Sequence, residues 1–283
     1  QSRLSALVEA ADKHRLLNSP DADASFEAHT SLSSLPTAGV WLTALPSDDS
    51  REMSHRLFQI ALKRRLRMRI FAADGFCLSC GGCMDRFGDH ASVCSCNGDR
   101  TVRHNCCRNL VCHEASLAGL GPEKEKASLL PGRPESDGLP NILDPQRRRP
   151  ADVWLPSGSS NGSQALDFAC TSGMRADMLN RVILQAPAVF AEYEQYKKSY
   201  KDTERLCRDR GFAFCPMIAE AHSGAWSPAA RKMFDFMTQR AAEALSITPE
   251  VESLRFAQRL SIALQRENAR AIVRRFAGPA PAE

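Results

Sequence analysis

Two short stretches near the middle of the chain alternate apolar and polar residues with the period of a β-strand. The first, 151–155, contains Asp152, and the second, 165–171, contains Asp167 between apolar neighbours. The segment between them, 156–163, consists almost entirely of proline, glycine, serine and asparagine, which is typical of a turn. The pattern therefore predicts two neighbouring strands, each of which carries one carboxylate.

Carboxylates that lie side by side repel each other, and a divalent cation between them is the usual remedy. We therefore consider the hypothesis that Asp152 and Asp167 share a metal ion. The alternative is a β-hairpin whose two acidic side chains are simply solvated, because carboxylates on exposed strand faces are common. The strand pattern alone does not decide between these two readings.

Helical periodicity, capping residues and breakers predict the elements of the remaining chain. Helices are expected over about 1–17, 50–69, 103–117, 175–208, 228–245 and 250–276. Further strands are expected at 126–130 and 212–219, and linker or loop segments at 18–37 and 131–149. After residue 100 the predicted order is helix, three strands, helix and strand, which indicates an α/β fold.

The cysteines indicate a reducing, intracellular environment. There are eleven of them, an odd number, and no secretory signal opens the sequence. Both facts argue against a disulfide-linked secreted scaffold and favour a metal site. The first residue is Gln1 rather than methionine, so we expect the chain to be a piece of a longer protein.

One segment has the spacing of a zinc knuckle. Cys77 and Cys80 form a Cys-x-x-Cys pair, and His90 and Cys94 follow as His-x-x-x-Cys. Three thiolates and one imidazole complete a tetrahedral set with no open position, which is typical of structural rather than catalytic zinc. Two further cysteines of this segment are alternative ligands: Cys83 and Cys96.

Basic residues are concentrated in blocks although the net charge is only +4. The blocks lie at 63–69, at Arg147, Arg148 and Arg149, and along the last predicted helix. Such blocks suit phosphate backbones, although solvated helix faces are the more common outcome. No apolar run approaches the length of about 20 residues needed to cross a bilayer, so we expect no membrane association.

These features together resemble a known family. The series of motifs is similar to the carboxy-terminal region of non-long-terminal-repeat retrotransposon polyproteins. It consists of the knuckle, the pair Arg103–His104, the Pro150-x-Asp152 sequence, Asp167 and a lysine on the next helix. The resemblance is to members that carry a restriction-like endonuclease of the PD-(D/E)XK class after the reverse transcriptase. It covers about residues 38–275, and the chain contains no polymerase motif of the Tyr-x-Asp-Asp kind.

The resemblance implies a restriction-endonuclease-like core with the order α-β-β-β-α-β, preceded by a small zinc knuckle and flanked by helices. The implied regions are a helical platform at 1–75, the knuckle at 76–100, the nuclease core at 101–225 and C-terminal helices at 226–283. The implied catalytic residues are Asp152, Asp167, Lys197 and Glu125, with Lys198 and Glu123 as rivals for the last two.

The resemblance also implies cofactors and partners. Structural Zn²⁺ would bind at Cys77, Cys80, His90 and Cys94, and catalytic Mg²⁺ at Asp152 and Asp167. The implied nucleic-acid contacts are Arg103, His104, Arg147, Arg148 and Arg149. DNA, template RNA and an upstream reverse transcriptase domain would be the partners, in the nucleus.

The sequence also departs from the family pattern. Ala151 separates Pro150 from Asp152, and Asp167 is not followed by an x-Lys pair on its strand. The alternative function is therefore a non-catalytic, zinc-containing nucleic-acid-binding remnant of such an element.

Overall fold

The computed structural model describes residues 2–18, 23–130, 150–159 and 162–275. Its α-helices are α1 (Ser2–Leu17), α2 (Ala24–Ser33), α3 (His55–Arg65), α4 (Asp89–Val93), α5 (Asp99–Leu117), α6 (Leu179–Leu184), α7 (Ala188–Ser199), α8 (Thr203–Asp209), α9 (Pro228–Leu245) and α10 (Pro249–Arg275). Its strands are β1 (Gly75–Phe76), β2 (Cys83–Met84), β3 (Glu123–Lys124), β4 (Val153–Ser159), β5 (Gly162–Thr171) and β6 (Ala213–Glu220). The mixed α/β class expected from the sequence is confirmed.

The central sheet has the strand order β3-β4-β5-β6. The pairs β3–β4 and β4–β5 are antiparallel, whereas β6 runs parallel to β5. A parallel neighbour requires a crossover connection, and the segment with α6, α7 and α8 supplies it. The observed order is therefore helix α5, three strands, a helical crossover and a fourth strand.

Helices cover both faces of the sheet. On one face, Leu166, Phe168 and Met217 pack into a core shared with α5, α9 and α10. On the other face, Ile218 packs against α2, α6 and α7, and Ala165 packs near α8. Because side chains alternate along β5, Asp167 points to the face opposite Phe168, towards the crossover helices.

The predicted linker at 18–37 is wrong in its central part, since α2 occupies Ala24–Ser33. The side chain of Asp23 caps this helix by accepting a hydrogen bond from the backbone N–H of Phe26. Leu32 is fully buried against the α6 region. The polar composition conceals the helix because most of its stabilisation comes from tertiary packing.

The single helix predicted over 175–208 is also wrong, because the structure breaks it into α6, α7 and α8. Pro187 stands at the N-cap of α7, where its missing N–H is tolerated. Lys201 and Asp202 have φ angles of 50° and 56°, which separate α7 from α8. Two smaller differences concern the bounds of elements. Helix α3 is shorter than expected, and β3 lies before the predicted strand at 126–130.

Helix α10 belongs to two hydrophobic cores. Leu260 and Leu264 pack into the core beneath the sheet, whereas Ala269 and Ile272 pack against Met84 in the region of the cysteines. Helix α10 therefore contributes both to the core beneath the sheet and to the core in the region of the cysteines. In the part of the chain that the structure describes, no helix is long and apolar enough to cross a membrane.

Candidate metal centre and acidic site

The predicted zinc ligands converge at one point, which we call the cysteine–histidine site (Cys77, Cys80, His90 and Cys94). Cys77 and Cys80 lie in the tight turn between β1 and β2, and His90 and Cys94 lie in and just after α4. The backbone N–H groups of Asp89 and His90 both donate to the carboxylate of Asp85, which fixes the start of α4. Local backbone geometry therefore brings the four side chains together.

The separations in this site suit tetrahedral coordination. All four ligand atoms lie within 4.8 Å of one another. The sulfurs of Cys77 and Cys94 are 4.0 Å apart, and Cys80 Sγ lies 3.3 Å from His90 Nε2. A tetrahedral ion with Zn–S and Zn–N distances of about 2.3 and 2.0 Å needs ligand separations of about 3.5–3.8 Å. The site can therefore hold a metal ion.

One thiol of this site is already biased towards the form that binds metals. Burial opposes ionisation of Cys94, but hydrogen bonding from Arg275 and the backbone of Cys96 outweighs it and lowers the pKa of Cys94 to about 6. Thiolates, not thiols, are metal ligands. The alternative ligands Cys83 and Cys96 are not part of the converging group.

The second candidate site, which we call the acidic site, contains Asp152, Asp167, Glu125, Lys197 and His104. Asp152 stands just before β4, and its backbone N–H donates to Leu166 on β5 at 2.9 Å. Its carboxylate accepts the backbone N–H of Phe168 at 2.6 Å. This contact holds the Asp152 side chain beside the neighbouring residue, Asp167, on the adjacent strand.

Helix α7 contributes Lys197 to the acidic site. Lys197 Nζ lies 2.8 Å from Asp167 Oδ2, and the two side chains are 22% and 21% exposed. The rival, Lys198, lies 3.5 Å from Glu204 instead. Of the two lysines considered from the sequence, Lys197 is thus the one that contacts an aspartate of the pair.

The predicted glutamate lies at the edge of this site. Glu125 follows β3, and its backbone N–H donates to the carbonyl of Asp152 at 3.1 Å. Its carboxylate accepts from Arg108 at 2.5 Å. The rival Glu123 pairs with Lys126 in a more exposed position. Arg108 therefore engages the carboxylate of Glu125, as Lys197 engages that of Asp167.

Helix α5 places His104 in the acidic site. The resemblance implies instead that His104 contacts nucleic acid. His104 Nε2 lies 3.2 Å from Asp152 Oδ1. Arg108 follows His104 at i+4 and holds Glu125 from the same helix. The i, i+4 spacing is the feature of the sequence that places His104 and Arg108 on the same face of α5, towards the acidic residues.

Arg103 is not available for the predicted nucleic-acid contact. It is 4% exposed, and its guanidinium donates to Asn268 Oδ1 and to the carbonyl of Ser92. Arg103 therefore links α5 to α10 and α4, and its buried guanidinium cannot contact a phosphate. The other predicted contacts, Arg147, Arg148 and Arg149, lie outside the described residues.

Burial and mutual repulsion oppose the simultaneous ionisation of the two aspartates in the acidic site. Burial, followed by repulsion from Asp167, raises the pKa of Asp152 to about 7. Burial also raises the pKa of Asp167, although Lys197 opposes the rise. Burial and the neighbouring Arg108 lower the pKa of His104, so its imidazole is favoured in the neutral form. Near neutral pH the pair is stabilised either by a proton or by a cation.

No protein-family model, curated protein sequence or solved structure matches this chain. The function must therefore be inferred from the geometry and chemistry of the two sites.

Proposed function

We propose that this chain is a Mg²⁺-dependent endonuclease that nicks DNA, as part of a protein derived from a retrotransposon. The observation that carries the proposal is the grouping of three side chains from three elements. Asp152 and Asp167 come from adjoining strand positions, and Lys197 contacts Asp167 from α7. Two carboxylates and an ammonium beside the two central strands of the sheet suit the hydrolysis of a phosphodiester.

The chemistry follows from charge. A phosphodiester repels an attacking hydroxide, and a Mg²⁺ ion held by the two aspartates would neutralise that charge and bind the attacking water. Lys197 places a positive charge where negative charge develops on the phosphoryl oxygens. His104, as a neutral imidazole, can donate from Nε2 to Asp152 and so hold that carboxylate in position.

The architecture supports the same proposal. A helix, three strands, a crossover and a parallel fourth strand follow one another in the order expected for a restriction-endonuclease-like core. In this proposal the cysteine–histidine site holds structural Zn²⁺. The partners are DNA, template RNA and an upstream reverse transcriptase domain, and the location is the nucleus. A closed set of four donors, three thiols and one imidazole, favours zinc at that site.

Two observations favour the alternative, a non-catalytic nucleic-acid-binding remnant with zinc. Glu125 is bonded to Arg108, and the second strand lacks a lysine two residues after Asp167. Both features remove groups that a nuclease of this class would use near the metal.

Nicking of supercoiled plasmid, with Mg²⁺ or with EDTA, tests the proposal. We expect nicking by the wild type in Mg²⁺ only, and a loss of about a thousandfold in Asp152→Ala, since several kcal/mol of transition-state stabilisation disappear. Asp209→Ala, at an exposed acid on α8, is the matched control and should nick normally. If wild type and Asp152→Ala are equally inert but both retard DNA on a gel, the binding alternative replaces the nuclease.

A further inference from the structure

All three tyrosines of the chain lie within eight residues of one another, on α7 and the turn that follows it. We call Tyr193, Tyr196 and Tyr200 the tyrosine ladder. Neighbouring ring centroids are 5.7 Å apart between Tyr193 and Tyr196 and 5.6 Å apart between Tyr196 and Tyr200. The rings thus form a continuous row along one side of the helix.

The outer part of this row is open to solvent. Tyr196 is 52% exposed and Tyr200 is 48% exposed, whereas Tyr193 is half-buried against the core beside α6. Two neighbouring aromatic rings are therefore accessible to a ligand from solvent.

The ladder begins at the acidic site. Tyr193 and Lys197 are separated by one helical turn, so both lie on the same side of α7. Lys197 in turn contacts Asp167. From Tyr193 to Tyr200 the helix rises by about 10 Å. The row of rings therefore runs beside Lys197, over a distance of a few nucleotides.

Cationic groups accompany the exposed rings. Lys201 Nζ lies 5.6 Å from the centroid of the Tyr200 ring, and Lys197 stands between Tyr196 and Tyr200 in the sequence. Aromatic rings with cations beside them are the combination that binds single-stranded nucleic acid, since the rings stack on bases and the cations face phosphates. The base faces of an intact duplex are already stacked on one another and cannot use such a surface.

We propose that the tyrosine ladder stacks the unpaired bases of single-stranded DNA that adjoins the phosphate at the acidic site. This inference rests on the proposed nuclease function and names its substrate class: DNA that is locally single-stranded, such as a splayed junction, rather than a continuous duplex. The exposed rings of Tyr196 and Tyr200 contact the bases, and Lys197 lies where the row of rings meets the aspartates.

Binding can be measured by fluorescence anisotropy in EDTA with three labelled probes: a single-stranded oligonucleotide, a blunt duplex and a duplex with one splayed, unpaired arm. Tyr196→Ala and Tyr200→Ala should each weaken binding of the first and third probes by about tenfold, the amount expected for one lost stacking contact. Binding of the blunt duplex should not change.

Two kinds of control separate stacking from other roles of the side chains. Tyr196→Phe and Tyr200→Phe keep the ring and should bind as the wild type does. Leu245→Ala removes an exposed apolar side chain on α9 and should also leave binding unchanged. Alanine variants that bind the single strand as well as the wild type, or that lose duplex and single strand equally, would overturn the proposal. Preference for an RNA strand over DNA of the same sequence would overturn the assignment to DNA.

The failure of this inference is distinguishable from the failure of the proposed function, because binding in EDTA requires no cleavage. If plasmid nicking depends on Mg²⁺ and Asp152 while the tyrosine variants bind normally, the ladder assignment fails and the nuclease stands. If nicking is absent while the tyrosine variants lose single-strand binding selectively, the nuclease fails and the stacking surface stands.

Discussion

The cysteine–histidine site takes its four side chains from one short segment, in which Cys77 and Cys94 are 17 positions apart. The acidic site instead collects side chains from α5, the end of β3, the start of β4, the middle of β5 and α7. The first site is a closed set of four ligands. The second brings two carboxylates together with the partly exposed Lys197.

This difference predicts different consequences of losing a metal. A closed set of ligands replaces part of a hydrophobic core, so loss of its ion costs folding free energy. The sheet that carries the two aspartates has a hydrophobic core on each face. Loss of a cation from the aspartates should therefore reduce activity rather than stability. The following predictions test that distinction, beginning with the largest expected effect.

Replacing one ligand of the closed site should remove the metal and destabilise the region around it. Structural zinc contributes about 10–16 kcal/mol to small zinc-binding peptides, so we expect Cys77→Ser to lose a full metal equivalent and to unfold at a much lower temperature. Metal analysis and thermal unfolding measure the two effects. Cys83→Ser, at an exposed cysteine outside the set, should retain both properties. Equal metal content in the two variants would refute the ligand assignment.

Two adjacent lysines allow a direct test of the acidic site. Lys197→Ala should reduce plasmid nicking by about a hundredfold, the size of effect seen when one transition-state charge contact is removed. Lys198→Ala removes the same charge one position away, where it faces Glu204, and should nick normally. Both variants should keep their metal in the closed site. Similar rates for the two variants would show that Lys197 has no special role.

A pair of glycines tests how the closed site is attached to α10. Gly88 and Gly98 have φ angles of 77° and 70°, so alanine at either costs about 1 kcal/mol of backbone strain. At Gly88 a Cβ would also lie 2.9 Å from Cδ1 of the fully buried Ile272, whereas the space at Gly98 is open. Overpacking adds about 1–3 kcal/mol, so Gly88→Ala should be the less stable variant in chemical denaturation. Equal stabilities would contradict the tight packing.

The smallest expected effect concerns the charge of the acidic site. The fold raises the pKa of Asp152 from 3.8 to about 7, so the stabilisation that protonated Asp152 gives is complete below about pH 3.8 and lost as pH rises through 7. Asp152→Asn should therefore raise the melting temperature of metal-free protein by about 2–4 °C at pH 8, and by less at pH 5.

Added Mg²⁺ provides the matching control for this effect. It should stabilise the wild type at pH 8, above the pKa of about 7 of Asp152, and should leave Asp152→Asn nearly unchanged. A variant that is equally destabilised at both pH values would show that the Asp152 carboxylate contributes through its contact with the backbone of Phe168 instead.

The two sites also differ in how far the sequence predicts them. The ligands of the closed site could be selected from spacing alone, because all four lie in one hairpin and one short helix. The aspartates could be placed on neighbouring strands from their period, but Lys197 and Glu125 required the resemblance to a family. The resemblance implies nucleic-acid contacts for both Arg103 and His104. The burial of Arg103 could not be predicted, because its partner Asn268 on α10 lies more than 160 positions away.

The same limit explains the errors in the fold. Helix α2 depends on Leu32 packing against the crossover region, a contact that polar composition does not reveal. The break between α7 and α8 depends on left-handed conformations at Lys201 and Asp202, neither of which is a glycine. By contrast, α9 begins with Ser227 and Pro228, a strong local start signal, and was placed correctly.

The shared helix α10 has a consequence for the order in which the protein can mature on the ribosome. Arg275, its last residue, donates to the carbonyl of Cys96, which is made 179 residues earlier. All four residues of the cysteine–histidine site are therefore synthesised well before α10, and the apolar side of this region waits for Ile272 to emerge. Until then a nascent chain exposes Met84 and its neighbours, so a stop codon shortly before α10 should yield a chaperone-dependent product.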